Sequence, residues 1–499
     1  MKPEKAFLLI SVLFGLLFLI LVPPFQVPDE PQHFYRAFQV SELRFLNLVA
    51  LNRNPTTDAF RYGTLLPKSL AGLVDMSDVT ETRFGPENKV KPSRLIASFR
   101  ARLDAGDREY LPVAPYAPLA YIPQALGIGL GRLFGSPSLV LFYLGRLGAL
   151  GAWIVLVFVA IKTTPMLKWT FFLLALMPMT LHLAASNSAD SVVIGVSFLL
   201  SAQLLSWAYD TRKERIGRAD IVGLLVMALV LTLSKPLYLV LLALILLIPG
   251  EKFPRGATRL LTFGGVVVFC VAAYVGWSLL TAWATVPGPA IELGRHGVDP
   301  PVLADISPKR QLALILSHPF AFIGVLATTF SVLSLFYLHS FVGLLGWLDT
   351  LLPLWVPYVY VAVVIGVSLL GGARQHVSWQ AKCLSFAIPA VACLGAFVYF
   401  YLGESAVGMQ VVVGFQGRYL IPVAPIFFLL FQNQIIRWPV TRTIAATLIV
   451  FVTLTTSVAG YRLVQRYYMA DVFLPGPETL AKKFMRFWPI LPTASPDRS

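Results

Sequence analysis

The chain has 499 residues, of which 57% are apolar and only 13% are charged. A soluble protein of this length could not bury so many apolar side chains, so the composition predicts a polytopic membrane protein. The apolar runs have helix length and do not alternate with polar residues, which excludes an outer-membrane β-barrel. The net charge of +15 comes largely from basic residues in short segments between apolar runs, as in cytoplasmic loops. Nucleic-acid binding is therefore not expected.

The first predicted element is an apolar run from Ala6 to Val22. Lys2 and Lys5 precede it and no small-residue cleavage site follows, so residues 1–22 are interpreted as a retained transmembrane helix with a cytoplasmic N-terminus.

A long segment, residues 23–137, follows the first helix and is rich in Arg, Asp and Pro. It is expected on the extracytoplasmic side. Residues 113–134 within it are apolar but interrupted by several prolines and glycines. They predict a short helix lying on the outer face rather than a crossing.

Lys and Arg in the short loops indicate which loops are cytoplasmic, and so predict how the remaining apolar runs cross the membrane. With the first helix they predict about eleven crossings in an all-α, polytopic transmembrane bundle of about 11–13 helices. The further crossings are residues 138–161, 169–185, 190–208, 220–234, 237–250, 260–286, 355–371, 382–402, 418–432 and 443–459.

Residues 319–346 do not fit this scheme, because both of their flanks should lie outside. They are predicted to form either two crossings or one re-entrant or surface-lying helix. The predicted organisation is a first bundle, an outer segment, a second bundle and an extracytoplasmic or interfacial tail. These span residues 138–286, 287–354, 355–460 and 461–499.

An acidic motif follows the first helix directly, in the sequence Val-Pro-Asp-Glu-Pro-Gln-His-Phe-Tyr-Arg. Asp29 is a good N-cap for a helix that begins at Glu30 or Pro31. His33 and Arg36 follow Asp29 at helical spacing, so the three side chains would share a face. Two interpretations stay open: a capped, solvated surface helix, or an acidic catalytic site at the membrane surface.

Six further polar residues are predicted on the same side of the membrane, in or beside apolar segments. They are Arg146, Asp190, Lys235, Asp349, Arg418 and Tyr419. Each has a structural alternative, such as an N-cap, a snorkelling lysine or a structural ion pair. Together they suit an anionic, lipid-linked substrate, because Arg and Lys can hold a phosphate while a carboxylate removes a proton from an acceptor hydroxyl.

No cofactor is expected from the motifs. The sequence contains no phosphate-binding glycine loop after a strand, no HExxH and no CxxC. Its three cysteines lie in or beside apolar runs and predict neither a disulfide framework nor a metal site. Asp29 and Glu30 could bind a divalent metal, but a metal requirement is not favoured.

The order of these features resembles the GT-C superfamily of polytopic glycosyltransferases. The acidic motif at Asp29, the run from Tyr116 to Gly135 and the following Arg146 are similar to landmarks of bacterial aminoarabinose transferases and protein mannosyltransferases. The chain resembles still more closely a bacterial family of predicted membrane proteins known only as a domain of unknown function. The motifs that carry this second resemblance are Pro28-Asp29-Glu30 with His33, Ser188 to Asp190, Ser234-Lys235-Pro236, Gly346-Trp347-Leu348-Asp349 and Gly417-Arg418-Tyr419.

The superfamily resemblance implies transfer of a sugar from a polyprenyl-phosphate donor to a cell-envelope glycan or lipid. The transfer would take place on the outer face of the bacterial cytoplasmic membrane, with inversion and with no required metal. Asp29 matches the superfamily's acidic catalytic residue, and Glu30 is the alternative candidate for that position. The phosphate or acceptor charge would be held by Arg36, Arg146, Lys235 and Arg418, and the sugar hydroxyls positioned by His33 and Tyr419. The transferases have a lysine where this chain has Ala114, so these other cations must supply the charge.

Two alternative functions are left open. The first is a transporter or flippase of lipid-linked saccharides, whose charges line a path and perform no chemistry. The second is a glycan polymerase or ligase that uses lipid-diphosphate donors. The predicted clustering of charge on one side, and the acidic motif in the largest outer segment, favour the transferase.

Overall fold

The structure is a computed structural model. It describes residues 1–46, 49–51, 61–76, 82, 87–104, 106–114, 116–253, 258–284, 286–287, 306–370, 377–433, 435–436 and 438–469.

The described chain is mostly helical. Its α-helices are α1 Pro3–Leu21, α2 Glu30–Ser41, α3 Lys68–Met76, α4 Pro92–Ser98, α5 Ile122–Leu133, α6 Ser138–Thr163, α7 Lys168–Ala175, α8 Pro178–Ala184, α9 Asp190–Tyr209, α10 Arg218–Ser234, α11 Thr258–Ala284, α12 Pro308–Ser317, α13 Pro319–Val342, α14 Trp355–Leu370, α15 Trp379–Gly403, α16 Ala424–Phe427 and α17 Arg442–Tyr468. The 3₁₀-helices are Pro118–Tyr121, Pro236–Leu247, Gly250–Lys252, Gly417–Val423 and Phe428–Phe431. The short strands are β1 Val49–Leu51, β2 Arg61–Pro67, β3 Arg108–Pro112, β4 Val286–Pro287, β5 Leu344–Leu345 and β6 Thr350–Leu351.

Seven of the described helices are long and apolar enough to cross a bilayer: α1, α6, α9, α11, α13, α15 and α17. Six of them correspond to predicted crossings, so the all-α, polytopic fold class is confirmed. The largest apolar core lies where α1, α6 and the helices that follow pack together, with Phe7 against Trp153 at 5.4 Å between ring centroids.

The predicted helix 169–185 is wrong as a single element. It is divided into α7 and α8, with Pro178 as the first residue of the second helix. Proline has no N–H to donate to the preceding turn and its ring clashes with it, so an α-helix cannot continue through this position without distortion.

Two other predicted α-helices are wholly or mainly 3₁₀-helical. Residues Pro236–Leu247 are a 12-residue 3₁₀-helix. At about 2.0 Å per residue this run covers about 24 Å, against about 18 Å for an α-helix of the same length. The predicted helix 418–432 is split into two 3₁₀ pieces around α16, where Pro422 and Pro425 interrupt α-helical hydrogen bonding.

Residues 319–346 contain one helix, α13, so the alternative of two crossings is wrong. Gln311, in the preceding helix α12, donates to the carbonyl of Tyr401 near the end of α15 at 3.2 Å. Near the C-terminal end of α13, the amide of Gly417 donates to Ser340 Oγ at 2.8 Å. α12 and the C-terminal part of α13 therefore both contact residues that lie at or after the C-terminal end of α15. The re-entrant or surface-lying alternative stays a prediction.

The segment 23–137 contributes three strands to a small sheet that the sequence analysis missed, and β4 contributes the fourth. Its strand order is β3-β2-β1-β4, with antiparallel pairs except for the parallel β1–β4 pair. The predicted short helix is present as α5, whose 12 residues span only about 18 Å. It packs closely on α6, since a Cβ at Gly127 would lie 2.2 Å from the carbonyl oxygen of Leu144.

The last helix is longer than predicted. α17 continues to Tyr468, so residues 461–468 of the predicted tail are helical. The rest of the predicted tail, from residue 470 onward, lies outside the described residues.

Candidate functional site

The turn between α1 and α2 carries the acidic motif in a strained conformation. Phe25 and Asp29 both have left-handed backbone angles, with φ of 64° and 63°. Such a conformation costs about 1–3 kcal/mol for a residue other than glycine. Asp29 occupies the N-cap position of α2, but its side chain makes no capping hydrogen bond. The expectation that it caps the helix is therefore wrong, and its carboxylate is 54% exposed.

Glu30, the neighbouring acid, is fully buried in an ion pair with Arg146. The guanidinium donates to both carboxylate oxygens, at 2.8 and 2.7 Å. Arg146 also donates to the carbonyls of Leu19, Val22 and Pro23 at 2.7 to 3.1 Å. The pair thus ties α6 to the end of α1 and to the start of α2. Neither Glu30 nor Arg146 is open to a substrate. The geometry of the pair indicates that both residues stabilise the turn between α1 and α2.

Arg418 lies beside Asp29. Its Nη2 lies 3.9 Å from the Asp29 carboxylate, while its own side chain is only 4% exposed. Nη2 also lies 3.4 Å from Tyr419 Oη. Nε has no hydrogen-bond partner within the part of the chain that the structure describes. A buried guanidinium with an unused donor beside a half-exposed carboxylate can bind a further anionic group.

Lys235 supplies a second cation and Asp190 a second acid. The ammonium of Lys235 bonds directly to the Asp190 carboxylate and lies 5.1 Å from the centre of the Tyr419 ring. Lys235 ends α10 because it precedes Pro236, and a residue before proline is driven out of the helical conformation; its φ and ψ are −144° and 89°. Asp190 begins α9, where its amide donates to Ser188 Oγ at 3.1 Å.

Gly417 sets the position of Arg418. A Cβ at Gly417 would lie 1.9 Å from the carbonyl oxygen of Tyr337 on α13, so only glycine allows this contact. The hydroxyl of Tyr238 fixes the next residue by donating to the carbonyl of Tyr419 at 2.8 Å. These contacts hold the 3₁₀-helix Gly417–Val423, which carries Arg418, against α13 and the 3₁₀-helix Pro236–Leu247.

His33 lies in α2 beside this group of charges. Its Nδ1 is 2.6 Å from Tyr121 Oη, and its ring is stacked near Tyr116 with 6.0 Å between centroids. Burial lowers the pKa of His33 to about 4, although Asp29 and Asp190 favour the charged form. The imidazole is therefore neutral at physiological pH and can hydrogen-bond a hydroxyl group without adding charge.

Six of the ten predicted residues thus come together, and we call this set the acid–cation cluster. Its members are Asp29, His33, Asp190, Lys235, Arg418 and Tyr419.

The family model described as predicted membrane protein (DUF2142) matches residues 12–427. The chain belongs to this family. No curated protein and no solved structure matches the chain.

The DUF2142 match covers the whole acid–cation cluster, but not the end of α17, where Arg466 lies. Arg466 donates to the Asp349 carboxylate through Nε and Nη2, at 2.8 and 2.6 Å, with both side chains fully buried. It also donates to the carbonyls of Thr82 and Asn88. Asp349 therefore lies in a separate ion pair rather than in the acid–cation cluster.

Arg36 is also outside the cluster. Its guanidinium donates to the carbonyls of Tyr116 and Phe45 at 3.1 and 3.2 Å, and to the side chain of Gln39. Burial lowers its pKa to about 10. Each of its three nitrogens donates a hydrogen bond within the protein and the side chain is fully buried, so its geometry ties α2 to neighbouring segments and does not expose it to a substrate.

Sequence reasoning missed the tyrosines around the cluster and the partner of Asp349. Tyr116 and Tyr121 were noticed only as parts of a landmark, and nothing in the sequence pointed to their contact with His33. The sequence did offer a signal for Arg466, because a charged residue near the end of an apolar helix needs a partner. Among the described residues, no group of three or more His, Cys, Asp or Glu side chains could hold a metal ion.

Proposed function

We propose that this DUF2142 protein is an inverting glycosyltransferase of the GT-C type. It moves a sugar from a polyprenyl-phosphate donor to a glycan or lipid acceptor of the cell envelope, on the outer face of the bacterial cytoplasmic membrane. The observation that supports this most is the pairing of a half-exposed carboxylate, Asp29, with the buried guanidinium of Arg418 at 3.9 Å.

Arg418 and Lys235 would hold the donor phosphate. Arg418 has an unused Nε in the described structure, and Lys235 is the neighbouring cation across the Tyr419 ring. Cations at this position neutralise the negative charge that develops on the phosphate as the bond to the anomeric carbon breaks. Polyprenyl phosphate then leaves, and no nucleotide or metal is required for this step.

Asp29 would act as the general base. It takes the proton of the acceptor hydroxyl while that oxygen forms a bond to the anomeric carbon from the face opposite the phosphate. A positioned carboxylate contributes about 10²–10⁴-fold to such a step. The partly exposed side chain of Asp29 is open to an acceptor, whereas Glu30 is buried with both oxygens engaged. Asp29 is therefore assigned this role alone.

His33 and Tyr419 would position sugar hydroxyls. His33 is neutral and hydrogen-bonded to Tyr121, so it can turn toward a hydroxyl without repelling the cations. Tyr419 is stacked on Phe400 at 5.1 Å between ring centroids, which fixes its ring beside Arg418.

The test is transfer by the purified protein in liposomes. Radiolabelled polyprenyl-phosphate hexoses, pentoses and aminopentoses are offered with envelope glycan and lipid extracts. The proposal predicts release of free polyprenyl phosphate, coupled to labelled product and insensitive to a metal chelator. Labelled donor that crosses the bilayer without release would support a flippase instead. Activity confined to lipid-diphosphate donors would support a polymerase or ligase.

A further inference from the structure

The hairpin formed by β5 and β6 reaches the acidic turn from the far end of the chain. Its loop is Gly346-Trp347-Leu348-Asp349, with left-handed backbone angles at Gly346 and Leu348. The indole N–H of Trp347 donates to the carbonyl of Phe25 at 3.0 Å. Phe25 is one of the two strained residues of the turn that presents Asp29, so this hydrogen bond acts directly on that turn.

The position of Trp347 depends on α17. Arg466 holds the Asp349 carboxylate from two nitrogens, and Thr350 Oγ1 donates to its other oxygen at 3.1 Å. The loop has no spare room, because a Cβ at Gly346 would lie 2.3 Å from Asp349 Oδ1 and 2.6 Å from Tyr467 Oη. The ion pair therefore fixes the loop that carries Trp347.

The turn is consequently held from two sides. Glu30 and Arg146 bind its two ends to α6. Trp347 binds its middle to the hairpin. Both supports therefore act on Asp29 through the backbone of this turn.

We infer that Trp347 and the Asp349–Arg466 pair are positioning residues, through which the last helix holds the turn that presents Asp29. The positioning itself is independent of activity. Its catalytic meaning rests on the proposed function.

The test compares Trp347→Phe with the wild type by hydrogen-exchange mass spectrometry. The amides of Gln26, Glu30 and His33 form hydrogen bonds within this turn and at the start of α2. Loss of the indole donor should raise exchange in the peptide 23–33 by about two- to tenfold. Trp207→Phe is the matched control, because Trp207 is buried and its indole N–H has no partner among the described residues. It should leave that peptide unchanged.

Unchanged exchange in the peptide 23–33, or an equal rise in the Trp207→Phe protein, would overturn the inference. Asp349→Asn provides a second variant should Trp347→Phe fail to fold, and it should loosen the same peptide. In the transfer assay, Trp347→Phe should lower kcat and leave KM for the donor within about twofold, since the phosphate-holding cations are not moved. If Trp347→Phe raises exchange but the wild-type protein transfers no sugar, the positioning role is supported and the proposed function is refuted.

Discussion

Asp29 and Glu30 are adjacent in sequence and differ sharply in their surroundings. The Asp29 side chain is 54% exposed beside Arg418, whereas that of Glu30 is 0% exposed against Arg146. A carboxylate with both oxygens engaged in a buried bidentate pair cannot accept a proton from a substrate without breaking that pair. The difference in burial therefore separates a candidate catalytic group from a structural one, which the sequence alone left open.

His33 should make the stability of the protein depend on pH. Its pKa is lowered from 6.5 to about 4 by burial, so between these values the unfolded chain binds more protons than the folded one. Stability is therefore lost as pH falls through this window, by about 3 kcal/mol in all. The melting temperature in detergent should drop between pH 7 and pH 4.5, and His33→Gln should reduce that drop. His318→Gln, which changes an exposed histidine, should not. An unaltered pH profile in His33→Gln would refute the prediction.

Arg418 should dominate the affinity for the donor phosphate. Removing a charged hydrogen-bond donor from a buried site weakens binding by about ten- to hundredfold. We therefore expect Arg418→Gln to raise the Kd for polyprenyl phosphate by that factor, measured by native mass spectrometry in nanodiscs. Arg442→Gln removes an exposed arginine at the start of α17 and should bind as the wild type does. Equal affinities in the three proteins would exclude Arg418 as the phosphate ligand.

At the scale of elements, the Glu30–Arg146 pair joins α1, α2 and α6. Arg146→Met leaves the carboxylate of Glu30 buried without its partner, and should lower the free energy of unfolding by about 3–5 kcal/mol. Glu30→Gln in the same protein should recover part of that loss. Arg212→Met is the matched control, since Arg212 is 89% exposed in its pair with Asp210 and should change stability by no more than about 1 kcal/mol. A small effect of Arg146→Met in a chemical denaturation series would contradict the anchoring role.

Elements defined by one long apolar run could be predicted from sequence, as α1, α6 and α9 show. Elements in which proline or glycine competes with the apolar pattern could not. Pro178 divides a predicted helix, and Pro236 begins a 3₁₀-helix where an α-helix was expected. The small sheet was also missed, because β1 pairs with β4 across more than 200 residues of sequence, and such a pairing has no local signal.

The candidate site was predictable only in part, for a related reason. Residue type and predicted sidedness were enough to nominate Asp29, Lys235 and Arg418. They did not reveal which charges neutralise each other, since Arg146 and Arg466 find their carboxylates 116 and 117 residues away in sequence. Arg146 and Asp349 were therefore nominated for substrate binding, although their partners lie within the protein.

At the scale of the whole molecule, the proposed site requires residues 23–137 to face the outside, and the predicted topology requires the same of both ends of α13. In a protein without its three cysteines, single cysteines are placed at Asp107, His318, Leu354 and Arg212, all exposed positions. A membrane-impermeant maleimide should label the first three in intact cells, and position 212 only after permeabilisation. Labelling of position 107 only after permeabilisation would invert the topology. Opposite sidedness of positions 318 and 354 would make α13 a crossing.

The decisive measurement is the initial rate of sugar transfer by Asp29→Asn in liposomes, with the best donor found for the wild type. Asp107→Asn serves as the control, because Asp107 is 62% exposed and lies in the same segment of the chain. We predict a rate about 10²–10⁴-fold lower for Asp29→Asn, with an unchanged melting temperature and a wild-type rate for Asp107→Asn. A folded Asp29→Asn protein that transfers sugar as fast as the wild type would contradict the role of this carboxylate.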